Sequence, residues 1–201
     1  AAPSSTSGRC PDTSRAPGMM GPMDIELRPW DVADAESLLA AVRESPDLST
    51  QLPVGDLGSV EQCRAYIAGA LVPDGSEVVD LAVSRDGEVV GNVGLSNVDR
   101  RHGTAWVYYW LAASGRGRGL ASRGLATLAA WAFGELDLFR LELGHRVNNP
   151  ASCRVATAAG FVPEGIERAK LRYGDERFDV ETHARLRTDP APALELVTLR
   201  R

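Results

Sequence analysis

Five consecutive residues, Gly115-Arg-Gly-Arg-Gly119, stand between a strand-like aromatic run, Thr104 to Ala113, and a helix-spaced apolar run that begins at Leu120 and contains Leu125, Leu128, Trp131 and Phe133. This junction constrains the fold more than any other feature of the chain. A helix that starts directly after a strand presents its first amide N–H groups without internal partners, and its dipole adds partial positive charge at the same end. Gly117 and Gly119 allow a ligand to approach the backbone closely, and Arg116 and Arg118 add cationic donors. The junction therefore suits a phosphorylated ligand. The plainer alternative is a turn that only reverses the chain, for which two arginines are superfluous. No Lys-Ser/Thr pair closes the glycines, so a nucleoside triphosphate loop is excluded. A dinucleotide fingerprint fails as well, because Ser122 stands where its third glycine belongs and the preceding strands read as antiparallel.

The rest of the chain supplies the frame for that junction. Ile25 to Pro29 alternates as an edge strand, and Asp31 opens a helix whose apolar positions are Val32, Ala35, Leu38, Leu39 and Val42; Ser45-Pro46 ends it. Ser59, three residues before Gln62, has the spacing of a capping box and starts a second helix that runs to about Ala70. Strands are predicted over Val78 to Ser84 and Glu88 to Asn97 around an Asp86-Gly87 hairpin, and then over Thr104 to Ala113. After the glycine junction and its helix come a strand from Phe139 to His145, a helix from Pro150 to Ala159, and two strands around Gly174-Asp175. The order is βααβββαβαββ. Leu194 to Leu199 is expected to add a short element against a partner.

Composition bounds what such a domain can do. With 22 basic and 27 acidic residues the net charge is -5, so nucleic-acid binding by bulk electrostatics is not expected. No apolar stretch approaches the roughly 20 residues of a membrane span. Cys10, Cys63 and Cys153 are odd in number and lack zinc-ligand spacing, which points to a reducing, cytoplasmic setting and to no metal. Residues 1–22, rich in Pro, Ser, Thr and Gly and without a signal-peptide apolar region, read as an extension before a domain that begins near Met23. The domain is expected over residues 23–188, followed by a tail over 189–201. Lys170 is the single lysine, a bias attributed to coding composition.

Arg116-x-x-Gly119-x-Ala121 resembles the acetyl-CoA signature of the GNAT superfamily of N-acetyltransferases, and the element order is similar to that fold. Tyr109-Trp110-Leu111, Trp131-Ala-Phe133, Asn149-Pro-Ala-Ser152, Gly160-Phe161, Glu164-Gly165 and Ala184-Arg185-Leu186 further resemble the ribosomal-protein N-terminal acetyltransferase branch. The resemblance implies an α+β, three-layer fold: a mixed, mostly antiparallel sheet, splayed between strands four and five and flanked by helices. It implies that acetyl-CoA is the cosubstrate, with its pyrophosphate on Arg116, Gly117, Arg118, Gly119, Leu120, Ala121 and Ser122. The pantetheine arm would lie along Trp110 and Leu111, with Asn149 and Ser152 nearby. The acceptor would be a primary amine, on a protein N-terminus or a small molecule, that attacks directly in a ternary complex. A homodimer is implied by analogy.

The catalytic residues are where this sequence departs from the pattern. Many relatives place an acidic Tyr four residues before the Gly-Phe pair, and here that position is Ala156; an acidic residue expected on strand four is replaced by Trp106. Ser152, one helical turn before Ala156, is the candidate to contact the thiol, with helix capping as its structural alternative. Glu142 is the candidate base, with His145, Glu167 and His183 as further groups that could reach the cleft through water. The aromatic face of Trp106, Tyr108 and Trp110 is either core or a substrate wall. Two other functions stay open: a catalytically weak acyl-CoA-binding or sensing protein of the same fold, and an antibiotic-modifying acetyltransferase.

Overall fold

The computed structural model describes residues 24–72 and 78–200. The extension expected over residues 1–22 lies outside them. Among the described residues, eight strands form one sheet in the order β6-β7-β5-β4-β3-β2-β1-β8. They are β1 (Ile25–Pro29), β2 (Val79–Arg85), β3 (Glu88–Asp99), β4 (Thr104–Leu111), β5 (Arg140–Arg146), β6 (Val162–Tyr173), β7 (Glu176–Leu186) and β8 (Thr198–Leu199). Four α-helices flank it: α1 (Ala35–Glu44), α2 (Val60–Tyr66), α3 (Leu120–Gly134) and α4 (Pro150–Ala158). The expected order holds, with one strand added at the end.

Local chemistry accounts for most boundaries. Asp31 accepts from Ala33 N–H while Asp34 accepts from Asp31 N–H, a reciprocal cap that leads through one 3-10 turn into α1. Ser59 accepts from Gln62 N–H as predicted, but the Gln62 side chain reaches one residue further back, to Gly58 N–H. Asp86 and Gly87 both adopt positive φ, the conformation a tight hairpin demands.

Both faces of the sheet are covered, which gives two cores. One packs α3 and α4 against Leu27, Val83, Val93, Val107 and Leu141; the other packs α1 and α2 against Trp30, Ala82 and Trp110. Alternation along β4 therefore sends Val107 into the first core and Trp110 into the second.

The end of the chain differs from expectation. Within Leu194 to Leu199, Thr198 and Leu199 pair in parallel with Glu26 and Leu27 on the chain's own β1. Buried Val197 donates its N–H to Thr127 Oγ1, and Arg123 bonds both the carbonyl and the carboxylate of Glu195.

Candidate active site

Strands β4 and β5 run parallel and pair only at Thr104–Arg140, Ala105–Leu141 and Trp106–Glu142. Beyond Trp106 they diverge, so the backbone of Val107 to Leu111 on that side has no strand partner. Gly144 helps hold the gap: a Cβ there would lie 2.8 Å from Val180 Cγ1 and 3.1 Å from the Trp106 indole. A cleft of ≈ 680 Å³ fills the opening. Its walls include Trp106, Tyr108, Tyr109, Trp110 and Leu111 from β4, and Asn149 and Ser152 from α4.

The glycine junction opens into the same cleft. Gly117 and Gly119 adopt φ of 75° and 72°, and a Cβ on either would meet nothing within 4 Å. Gly119 caps α3, and Arg123 N–H is the first to bond back to its carbonyl. The amides of Leu120, Ala121 and Ser122 thus fall in the unpartnered first turn, and all three residues line the cleft. This end of α3 carries no acidic residue in its first turn, so nothing competes there with an anion.

The two loop arginines play different parts. Arg116 is engaged: its Nε donates to Leu111 O at 3.0 Å and its guanidinium pairs with Asp47 at 2.8 Å, which ties the loop to the end of β4. Arg118 is exposed and has no ion-pair partner among the described residues, which leaves its charge available to a ligand. Arg146 and Arg154 also line the cleft, so the cavity is cationic although the chain as a whole is acidic.

Asn149 and Ser152 are locked together. Asn149 Oδ1 accepts from Ser152 N–H at 3.1 Å and its Nδ2 donates to Ser152 Oγ at 3.2 Å. Asn149 is therefore the helix cap, and the Ser152 hydroxyl keeps its own proton to donate. Tyr109 O–H bonds Ser152 O at 3.3 Å, and burial raises the phenol pKa above its ordinary value. The position of the missing tyrosine, Ala156, is fully buried, so no side chain from there reaches the cleft.

Glu142 is not brought to the cleft. Arg140 bonds it and Glu164 together, and it lies at the last paired rung of β4 and β5. Glu167 is likewise paired, with Lys170, whose ammonium sits 5.3 Å from the Trp106 ring. His145 does line the cleft, and His183 lies behind it with its Nε2 3.0 Å from His145 Nε2.

Sequence reasoning missed a second polar cluster on the α1/α2 side. Trp30 Nε1–H donates to Asn92 Oδ1, Asn92 Nδ2 to Asp80 Oδ1, and Tyr108 O–H to Asp80 Oδ2, at 2.7 to 2.8 Å. Burial pushes the Asp80 carboxyl above the usual aspartate range, opposed by the bonds from Tyr108 and Asn92. The Tyr108 phenol is also pushed up, first by burial and then by the Asp80 charge. Asp80, Asn92 and Tyr108 wall a cavity of ≈ 370 Å³ that shares Gln51, Tyr108 and Trp110 with the main cleft. The signal available in the sequence was an aspartate inside the apolar run Val78 to Val83.

Comparison with known proteins agrees with this geometry. The sequence profile described as "Acetyltransferase (GNAT) domain" matches residues 24–162. "Probable N-acetyltransferase YjcK" of Bacillus subtilis is 30% identical over 172 residues, spanning 82% of this chain and 95% of that protein. The ribosomal-protein-serine acetyltransferase of Escherichia coli is 30% identical over 104 residues, 52% of this chain and 58% of its own. Among solved structures, RimL, a ribosomal L7/L12 alpha-N-protein acetyltransferase in complex with coenzyme A, superposes with TM-score 0.73 at 25% identity, covering 81% of this chain and 94% of that one. The microcin C7 self-immunity acetyltransferase MccE, bound to acetyl-CoA and AMP, superposes with the same TM-score at 18% identity, covering 81% and 92%, and shares the fold. With a splayed β4–β5 gap, an anion-ready loop at the start of α3 and a family profile over most of its length, the chain belongs to the GNAT family of acetyl-CoA-using N-acetyltransferases.

Proposed function

We propose that the chain transfers an acetyl group from acetyl-CoA to a primary amine, on a protein N-terminus or a small molecule, by direct attack in a ternary complex. The observation that carries this reading is that the loop before α3 and the gap between β4 and β5 open into one cleft. The pyrophosphate takes the amides of Leu120 to Ser122 and the charge of Arg118, with no side chain at Gly117 or Gly119 to block it. The pantetheine arm pairs with the unpartnered backbone of β4 near Trp110 and Leu111. A β4 amide then faces the thioester oxygen and stabilises the oxyanion as the amine attacks. Ser152 O–H, oriented by Asn149, donates to the departing thiolate, and the proton that the amine nitrogen loses passes through cleft water to restore the Ser152 hydroxyl.

The acceptor enters on the aromatic side. Trp106, Tyr108 and Trp110 line the cleft there, and the Lys170 ammonium 5.3 Å from the Trp106 ring supports the reading that this side attracts an amine carried as a cation; the smaller cavity beyond Tyr108 holds the rest of the substrate. Catalysis rests mainly on positioning the two reactants. Cys63 and Cys153 are both free thiols, which fits a cytoplasmic setting.

Thiol release from acetyl-CoA against a panel of N-terminal peptides and small amines tests the reading, with intersecting initial-rate lines expected for a ternary complex. The buried Ala156 and the tied Glu142 favour a second reading, an acyl-CoA-binding protein without turnover. Tight binding of acetyl-CoA with no thiol release on any amine would establish that one instead.

A further inference from the structure

Two of the chain's three histidines meet on the α4 side of β5 and β7. His145 stands directly opposite Glu181 in the antiparallel pair, and His183 lies two residues along the same strand from Glu181, on the same face. Their polar atoms converge. His145 Nε2 is 3.0 Å from His183 Nε2, Glu181 Oε2 is 3.1 Å from His183 Nε2, and the same oxygen is 3.3 Å from His145 Nε2. Cys153, in the first turn of α4, brings a sulfur to the group, and all four donor atoms lie within 4.8 Å of one another.

The tautomer of His145 sharpens the arrangement. Its Nδ1 lies 3.1 Å from Arg146 O, a carbonyl that only accepts, so Nδ1 carries the proton and Nε2 points a lone pair into the cluster. This is the support that a histidine ligand receives from outside a metal site. His183 is 1% exposed and its Nδ1 has no partner among the described residues, so its ring is anchored through the Nε2 end alone. A proton on His183 Nε2 can serve its contacts with His145 and Glu181, but it leaves His145 Nε2 and Glu181 Oε2, 3.3 Å apart, with no proton between them. A divalent ion satisfies all three atoms at once. With bonds of about 2.0–2.1 Å, the edges of a tetrahedral site are about 3.3 Å, close to the three separations observed.

We propose that His145, His183, Glu181 and Cys153 form a binding site for a zinc-class divalent cation, held by two imidazoles, a carboxylate and a thiolate. Nitrogen and sulfur donors select this class over magnesium or calcium, which take oxygen. The site stitches β5, β7 and α4 together directly behind the cleft wall that His145 shares with Ser152. It is independent of the acetyl-transfer reading, and the reaction needs no metal from it.

Equilibrium dialysis of the EDTA-stripped full chain against zinc chloride, with no acetyl-CoA present, tests the site by elemental analysis. Retention of roughly one equivalent per chain, with a raised melting temperature, is expected. Glu181→Gln, at a partly exposed position, and His145→Gln should each weaken retention at least about tenfold; circular dichroism verifies that each variant is folded. With cobalt chloride, the native chain should show visible bands of a tetrahedral site and a thiolate charge-transfer band, which Cys153→Ser removes. No stoichiometric zinc in the native chain, or unchanged retention in both folded variants, overturns the site. A charge-transfer band that survives Cys153→Ser removes Cys153 from it.

Discussion

Trp106 on β4 and Glu142 on β5 form the last rung at which the two parallel strands pair. Past that rung the Trp106 indole lies over the bare Cα of Gly144, and the cleft begins. Gly144→Ala should therefore push the indole and Val180 away, at a cost of about 1–3 kcal/mol in stability. Chemical denaturation measures the loss, and a parallel fall in acetyl-CoA affinity is expected because the cleft wall moves.

Gly119→Val places a branched side chain at φ 72° and into the open space beside the helix start. The strained backbone costs about 1–2 kcal/mol. Acetyl-CoA affinity should drop more than tenfold, about 1.4 kcal/mol, in a chain that circular dichroism still reports as folded. Titration calorimetry with native-like affinity for the variant would remove the loop from the cofactor site.

Ser152 and Asn149 are separable by kinetics. Ser152→Ala removes a proton donor and the partner of Asn149 Nδ2 but keeps the cap bond from Ser152 N–H to Asn149 Oδ1, so kcat should fall on the order of 10²-fold with acetyl-CoA binding retained. Asn149→Ala removes the cap, and about 1 kcal/mol of stability with it. Equal turnover for Ser152→Ala and the native chain would return the serine to a structural role.

Asp80 predicts a pH dependence of stability. Its folded pKa is raised, so the folded state holds this proton more tightly than the unfolded chain does. The contribution is fully present below the ordinary aspartate value of 3.8 and is lost as pH rises through the folded value. Asp80→Asn abolishes that titration. The stability of the native chain relative to Asp80→Asn should fall as pH rises from about 4, read by urea denaturation across the range; a pH-independent difference would show that the carboxyl does not titrate there.

Removal of residues 194–201 should destabilise the domain. Val197 is 8% exposed and β8 covers the outer edge of β1. Burial of that valine alone is worth about 1.5–3 kcal/mol, and Thr127 Oγ1 and the edge of β1 lose their partners as well. A lower melting temperature checks this directly.

Much of the fold was legible because its signals are local. Asp31 and Ser59 as caps, Asp86-Gly87 as a hairpin and the glycines before α3 each act within a few residues, through bonds that depend on the neighbouring backbone. The glycine-rich start of α3 was readable for the same reason. Glu142 is bonded to Arg140, which also bonds Glu164, and does not line the cleft; nothing in the sequence reveals that pairing. Asp80 was overlooked because its partners, Asn92 and Tyr108, come from two other strands.

Residue type and short spacing set the order of elements, the glycine-rich start of α3 and the family resemblance. What stands opposite what depends on the folded chain. The divergence of β4 from β5 after Trp106, the return of β8 to its own sheet and the meeting of His145, Cys153, Glu181 and His183 all depend on strand register and helix packing between distant segments. A side chain's chemistry is fixed by its type, but its partner is fixed by the pairing of strands, and that pairing is not encoded within any one segment.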